Sequence, residues 1–186
     1  MYRHLPNALT ASRIVLVPFL LWLLAEERYG ASLVLCAVAG VTDALDGFLA
    51  RRWNQVTRLG AVLDPIADKV LVVGSVVVLA GQGRVPAWLA GLVVGRDALI
   101  LGGAVVYRAV TGELEIRPTL LSKVNTFLQI VVLVAAILDG AGLSLGPVLG
   151  WGFVAAGITT AGSGLHYLLA WTVKAFSRPA GGDSRP

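Results

Sequence analysis

Residues 31–79 read ASLVLCAVAGVTDALDGFLARRWNQVTRLGAVLDPIADKVLVVGSVVVL. Two apolar runs, 31–51 and 60–79, flank a short basic segment that contains Arg52 and Arg58. Each run has about the 20 residues that an α-helix needs to cross the hydrocarbon layer of a bilayer. The short connection between the runs predicts two antiparallel helices that meet at one side of a membrane.

The rest of the chain has the same apolar character. Only 14% of its 186 residues are charged, whereas a soluble domain has about 25%, and the mean hydropathy is +0.79. We therefore predict an all-α fold. The protein is predicted to be a polytopic membrane protein, built as a bundle of six transmembrane helices. The predicted spans are 9–25, 31–51, 60–79, 86–110, 120–138 and 146–174.

These spans form one predicted domain, residues 1–175. Residues 176–186 are rich in Gly, Pro and Ser, a composition that predicts a disordered tail. Most basic residues fall at one end of the predicted bundle, and only Arg28 and Arg84 fall at the other. The positive-inside rule then places both termini in the cytoplasm. The basic excess is therefore interpreted as membrane orientation, and no binding to nucleic acid is expected.

Four carboxylates lie within the two quoted runs. Asp43 and Asp46 are three residues apart, and Asp64 and Asp68 are four apart, so each pair shares one face of its helix. Both pairs lie toward the predicted cytoplasmic ends, where antiparallel helices can bring all four to one depth. A charged side chain inside a membrane helix costs several kcal/mol, so these acids need cationic partners.

Two kinds of partner are available to the acids. Mg²⁺ and Mn²⁺ prefer hard oxygen ligands, and two metal ions held by aspartates are a recurrent arrangement in phosphoryl chemistry. The alternative is ion pairs with nearby basic side chains, namely Arg51, Arg52, Arg58 and Lys69. Ion pairs do not require acids on matched faces of two helices, so we predict a two-metal site.

From Asp43 to Asp68 the sequence follows Asp-x2-Asp-Gly-x2-Ala-Arg-x8-Gly-x3-Asp-x3-Asp. This pattern resembles the complete signature of the CDP-alcohol phosphotransferase family, with every position filled. The resemblance implies a membrane enzyme that cleaves the pyrophosphate of a CDP-linked lipid and transfers its phosphatidyl group to an alcohol. It also implies Mg²⁺ or Mn²⁺ as the cofactor and a homodimer as the assembly.

The resemblance also implies a role for each position of the motif. Asp68 would act as general base on the acceptor hydroxyl. For Asn7, near the start of the first span, a helix cap is the alternative to a place beside the nucleotide. The implied metal ligands are Asp43, Asp46, Asp64 and Asp68. The implied CDP-lipid-binding residues are Asn7, Gly47, Ala50, Arg51 and Gly60.

The segment 118–129, PTLLSKVNTFLQ, indicates the acceptor. It resembles the start of the fifth helix in the CMP-forming cardiolipin synthase branch, where Ser-Lys-x-Asn-Thr-x2-Gln is typical. Phosphatidylglycerophosphate synthases more often have Gly-Lys-x-Lys-Thr, whereas this chain has Ser122 and Asn125. The runs Gly95-Arg96-Asp97 and Thr159-Thr160-x2-Ser163 resemble the same branch.

Several of these residues are candidates for holding an anionic acceptor through charge-assisted hydrogen bonds. Lys123, Thr126 and Gln129 are three apart and are predicted to line one helix face. Arg96 lies inside a span, where an arginine should face a polar interior, and Arg117 precedes the fifth span. Anchoring at the membrane surface is the alternative for Arg117.

The predicted reaction joins CDP-diacylglycerol to phosphatidylglycerol, giving cardiolipin and CMP, in a bacterial inner or cell membrane with the active site facing the cytoplasm. Glycerol 3-phosphate is the alternative acceptor, and charge alone does not choose, because both acceptors are anionic. An ion transporter is a more distant alternative, since intramembrane carboxylates also mark ion paths. Transporters tend to contain repeats with sites near the bilayer midplane, and this sequence has no internal repeat.

Overall fold

A computed structural model describes the backbone of residues 5–53, 58–111 and 120–176, and side chains mainly within 15–41, 67–105 and 120–170. This part of the chain folds into six α-helices and contains no strand, so the all-α prediction is confirmed. Each predicted span corresponds to one helix. The helices are α1 (Leu5–Ala25), α2 (Tyr29–Trp53), α3 (Arg58–Gly81), α4 (Ala87–Thr111), α5 (Leu120–Gly140) and α6 (Gly146–Phe176).

Most of the helices extend past the apolar runs that predicted them. The prediction followed apolarity, whereas helical backbone hydrogen bonds continue through polar residues at the ends. By length and composition, two helices within the described residues could cross a membrane, Leu120–Gly140 and Gly146–Ala170. The predicted tail after Phe176 lies outside the described residues.

The helices pack around one apolar core. α1 packs against α2 and α3, α5 packs against α2, α3 and α6, and α4 packs against α3 and α6. Side chains at the centre of the core are fully buried, including Leu24, Leu79 and Ile137. These residues lie near the connections 26–28, 82–86 and 141–145, which together form the distal end of the bundle.

A polar network ties the distal end together. The Tyr29 hydroxyl donates to Gln82 Oε1 at 3.1 Å, and Gln82 Nε2 donates to the carbonyl of Leu24 at 2.6 Å. The Arg84 guanidinium lies 5.3 Å from the centroid of the Tyr29 ring and 3.6 Å from Asp139 Oδ2. The network links all three distal connections and fixes the ring of Tyr29 in place.

We expect Gly140→Ala to destabilise the protein by about 1–3 kcal/mol through overpacking. A Cβ at Gly140 would lie 2.9 Å from the Tyr29 ring, which is buried and held by its hydroxyl bond. Gly81 is the matched control, because it also ends a helix and a Cβ there would meet nothing within 4 Å. Melting temperatures in detergent measure the difference. Equal melting temperatures for the two variants would contradict the prediction.

Candidate active site

The two acidic pairs lie at similar distances along α2 and α3 from the connection between these helices. The end of α2 and the start of α3 are joined by residues 54–57. At the helical rise of 1.5 Å per residue, Asp46 and Asp64 lie about 10 Å from these helix ends, and Asp43 and Asp68 lie about 15 Å from them. The backbone positions of corresponding aspartates are therefore at similar distances from the connection between the two helices.

Asp68 is the one member of this set whose side chain the structure describes, and it is exposed. Exposure is required of a base that must reach a substrate hydroxyl. Within the described side chains, no three His, Cys, Asp or Glu groups form a possible metal site. Metal ligation therefore stays a prediction. Nine predicted site residues have side chains outside the described set. They are Asn7, Asp43, Asp46, Gly47, Ala50, Arg51, Gly60, Asp64 and Arg117.

An ion pair next to Asp68 connects α3 to α4. Lys69 Nζ lies 2.8 Å from Asp97 Oδ1, and the same oxygen accepts a hydrogen bond from Nη1 of Arg96. The side chain of Lys69 is half exposed, whereas that of Asp97 is only 17% exposed. Among the described side chains, Lys69 pairs with Asp97. The alternative drawn from the sequence, in which Lys69 pairs with the aspartates of the signature, concerns side chains that lie mostly outside the described set.

Arg96 joins three helices from a buried position. Its side chain is 6% exposed, and Nη2 donates to Ser122 Oγ at 2.6 Å and to Ser163 Oγ at 3.0 Å. These partners belong to α5 and α6, so the guanidinium holds α4 against both. The sequence predicted that Arg96 faces a polar interior, and its burial among polar partners confirms this. We call Lys69, Arg96, Asp97, Ser122 and Ser163 the Arg96 cluster.

A second polar layer joins α5 to α6. Gln129 Nε2 donates to Thr160 Oγ1 at 3.0 Å, and the hydroxyls of Thr159 and Thr160 each donate to Asn125 Oδ1 at 2.9 Å. Asn125 and Thr160 are fully buried. Hydrogen bonds between helices in an apolar bundle fix how the helices are rotated against each other.

The predicted acceptor residues of α5 have different surroundings. Gln129 is buried against α6, whereas Lys123 and Thr126 are exposed, and the Thr126 hydroxyl donates to the Ser122 carbonyl at 3.1 Å. The face of α5 that meets α4 and α6 instead carries Ser122, Asn125 and Gln129. Acceptor binding by any of these residues stays a prediction.

The sequence did not predict the contacts of four polar residues. It indicated only that they resemble the cardiolipin synthase branch of the family. These residues are Asp97, Thr159, Thr160 and Ser163. One signal was available, because polar residues recurred at helical spacing inside apolar runs. Such spacing predicts that the residues face a polar neighbour. It does not state which neighbour they face.

Comparison with known proteins agrees with the sequence motif. The family model described as CDP-alcohol phosphatidyltransferase matches residues 3–162. The chain is 37% identical to a probable cardiolipin synthase (CMP-forming) of Drosophila melanogaster, across 89% of the chain and 56% of the relative. It is 35% identical to the cardiolipin synthase (CMP-forming) of Streptomyces coelicolor, across 83% and 76%.

A relative with a different name is about as similar. The CDP-diacylglycerol–glycerol-3-phosphate 3-phosphatidyltransferase of Bacillus subtilis is 34% identical, across 73% of the chain and 77% of the relative. Identity to relatives therefore does not separate the two acceptors. The chain spans about half the length of the Drosophila relative and three quarters of the length of the two bacterial relatives.

Proposed function

Because this chain belongs to the CDP-alcohol phosphatidyltransferase family, we propose that it transfers the phosphatidyl group of CDP-diacylglycerol to phosphatidylglycerol, producing cardiolipin and CMP. The observation that carries the proposal is the complete acidic signature, Asp43 to Asp68, whose residues lie at similar distances along α2 and α3 from the connection between these helices. Ion pairing alone does not explain that correspondence.

We propose a membrane protein with six spans, both termini and the active site facing the cytoplasm. The character of its surface supports this, because large apolar side chains are exposed on every helix and soluble proteins rarely expose contiguous apolar patches. The exposed side chains include both aliphatic and aromatic groups. Examples, one from each helix in order, are Val15, Val38, Val77, Leu101, Phe127 and Trp151.

The donor set fits a divalent metal. The four carboxylates of the signature provide the hard oxygen ligands that Mg²⁺ and Mn²⁺ prefer, and the proposed ligands are Asp43, Asp46, Asp64 and Asp68. When bound, such ions neutralise the pyrophosphate and stabilise the charge on the departing oxygen. The carboxylates alone would repel the anionic substrate, so the proposed activity requires this cofactor.

Asp68 is the proposed general base for the transfer. Its carboxylate takes the proton of the acceptor hydroxyl as the hydroxyl oxygen bonds to the lipid-side phosphorus of CDP-diacylglycerol. The bond from that phosphorus to the bridging oxygen breaks, and CMP leaves with the electron pair. Gly47, Ala50 and Gly60 are proposed to leave room for the nucleotide, and Asn7 and Arg51 to contact it.

Exposed polar residues at the start of α5 are proposed to hold the acceptor. Lys123 and Thr126 are exposed there, and Lys123 is proposed to contact the acceptor phosphate. Arg117 is proposed to lie near the same phosphate. Phosphatidylglycerol is preferred to glycerol 3-phosphate because the segment 118–129 resembles the cardiolipin synthase branch.

A product assay tests the proposal. Purified protein in mixed micelles receives CDP-diacylglycerol and Mg²⁺ with phosphatidylglycerol, or with glycerol 3-phosphate, and mass spectrometry identifies the lipids. We expect cardiolipin and CMP in the first mixture, little product in the second, and none from either after chelation of the metal.

The other outcomes separate the alternatives. If phosphatidylglycerophosphate is the main product, the proposed phosphatidyl transfer stands, but its acceptor is glycerol 3-phosphate rather than phosphatidylglycerol. Ion flux in proteoliposomes without CMP release from either mixture would favour a transporter over an enzyme.

A further inference from the structure

The turn of α3 that carries Asp68 is exposed. Asp68, Lys69 and Val70 are all exposed, and the first buried side chain in the described part of this helix is Val72. Apolar contacts of these three side chains therefore do little to hold the turn in place. A proposed base needs its carboxylate within hydrogen-bond reach of one hydroxyl, and small misplacements lower the rate strongly.

The Arg96 cluster supplies a tether at this turn. Lys69, the residue after Asp68, reaches across to Asp97 on α4. Asp97 is in turn held by Arg96, which is fixed by its bonds to Ser122 and Ser163. Each step leads deeper into the bundle, from a half-exposed lysine to an almost fully buried arginine. The anchor is thus rigid even though the tethered end is exposed.

We propose that Asp97 is a positioning residue for the transfer reaction. It holds Lys69 against α4 and thereby fixes the position, relative to α4, of the α3 turn that presents Asp68. This inference rests on the proposed role of Asp68. Asp97 and Lys69 need not touch the substrate, because they act through the orientation of the neighbouring carboxylate.

A simpler role for Asp97 is to neutralise the buried charge of Arg96. In that case Lys69 would be dispensable, since Arg96 keeps its bond to Asp97 without it. The variant Lys69→Ala separates the two roles. It removes a half-exposed side chain and leaves the buried Arg96–Asp97 pair intact, so the fold is retained.

The test is a double-mutant cycle on the full chain with Lys69→Ala, Asp97→Ala and the double variant. For each protein, kcat is measured with saturating substrates, and Mn²⁺ affinity is measured by electron paramagnetic resonance. We expect each single change to lower kcat and to weaken Mn²⁺ binding by about 10-fold, as for other residues that orient metal ligands. The double variant should be no worse than Asp97→Ala, and Lys69→Arg should recover most of the activity.

The direction of the Mn²⁺ shifts distinguishes positioning from simple charge effects. If the residues acted only by their charge, loss of Lys69 would tighten Mn²⁺ binding and loss of Asp97 would weaken it. Shifts in opposite directions, additive losses of kcat, or a Lys69→Ala protein with unchanged kcat would overturn the inference.

The control breaks a different ion pair, which joins the connection 82–86 to α5. Arg84 and Asp139 form one at the distal end, with side chains 38% and 24% exposed. Arg84→Gln should lower the melting temperature without changing Mn²⁺ affinity. If the unchanged protein transfers no phosphatidyl group, the proposed function fails, and the Mn²⁺ arm still decides whether Lys69 and Asp97 position the acidic site.

Discussion

Replacement of Asp68 by Asn is expected to lower turnover by at least about 100-fold, because removal of a general base alone costs 10²- to 10⁴-fold. The amide has nearly the same shape but cannot accept the proton of the acceptor hydroxyl. Asp68 is also a proposed metal ligand, so loss of its negative charge would lower turnover further. The exposed position of the side chain means that the substitution leaves the packed core unchanged.

Release of CMP with saturating CDP-diacylglycerol and acceptor measures the effect, and the melting temperature reports on the fold. Asp139→Asn is the matched control. It makes the same chemical change at the distal end, where Asp139 pairs with Arg84. We expect the control to retain turnover even if it melts earlier. An Asp68→Asn protein with near-normal turnover would remove Asp68 from the role of base.

The six helices could be predicted from the sequence because apolar runs of membrane-spanning length are a local property of the chain. The carboxylates of the signature could be predicted as metal ligands for a related reason. Spacings such as Asp43 to Asp46 fix a common helix face without any knowledge of the neighbouring helices. The helix bounds add that the two pairs lie at similar distances along α2 and α3 from the connection between these helices.

The partners of the other polar residues could not be predicted in the same way. Lys69 follows an acidic residue of the signature, so pairing within that site was the obvious alternative, yet it reaches Asp97 on α4. The choice depends on how α3 and α4 are rotated and packed, and spacing within one helix does not encode this. The same limit applied to α5, where the spacing of Lys123, Thr126 and Gln129 did not show which of them turns inward.

Arg96 is the residue for which the sequence and the structure suggest different roles. The sequence suggested contact with the acceptor phosphate, whereas the structure gives the guanidinium partners on its own helix and on α5 and α6. We expect Arg96→Met to destabilise the protein by about 1–3 kcal/mol, because the buried Ser163 hydroxyl loses its hydrogen-bond partner, although Asp97 keeps its ion pair with Lys69. Arg96→Lys should recover only part of this, since an ammonium group lacks the planar fork that reaches several acceptors at once.

Melting temperature and acceptor KM, measured together, decide between the two roles. If Arg96 is an internal anchor, both variants melt earlier and Arg96→Lys leaves the acceptor KM near its normal value. Lys123→Met is the comparison, because Lys123 is an exposed cation on neighbouring α5; it should raise the acceptor KM and leave the melting temperature unchanged. A raised acceptor KM with a normal melting temperature in Arg96→Lys would instead return Arg96 to the acceptor site. Its present hydrogen bonds would then have to be exchanged for bonds to the substrate phosphate.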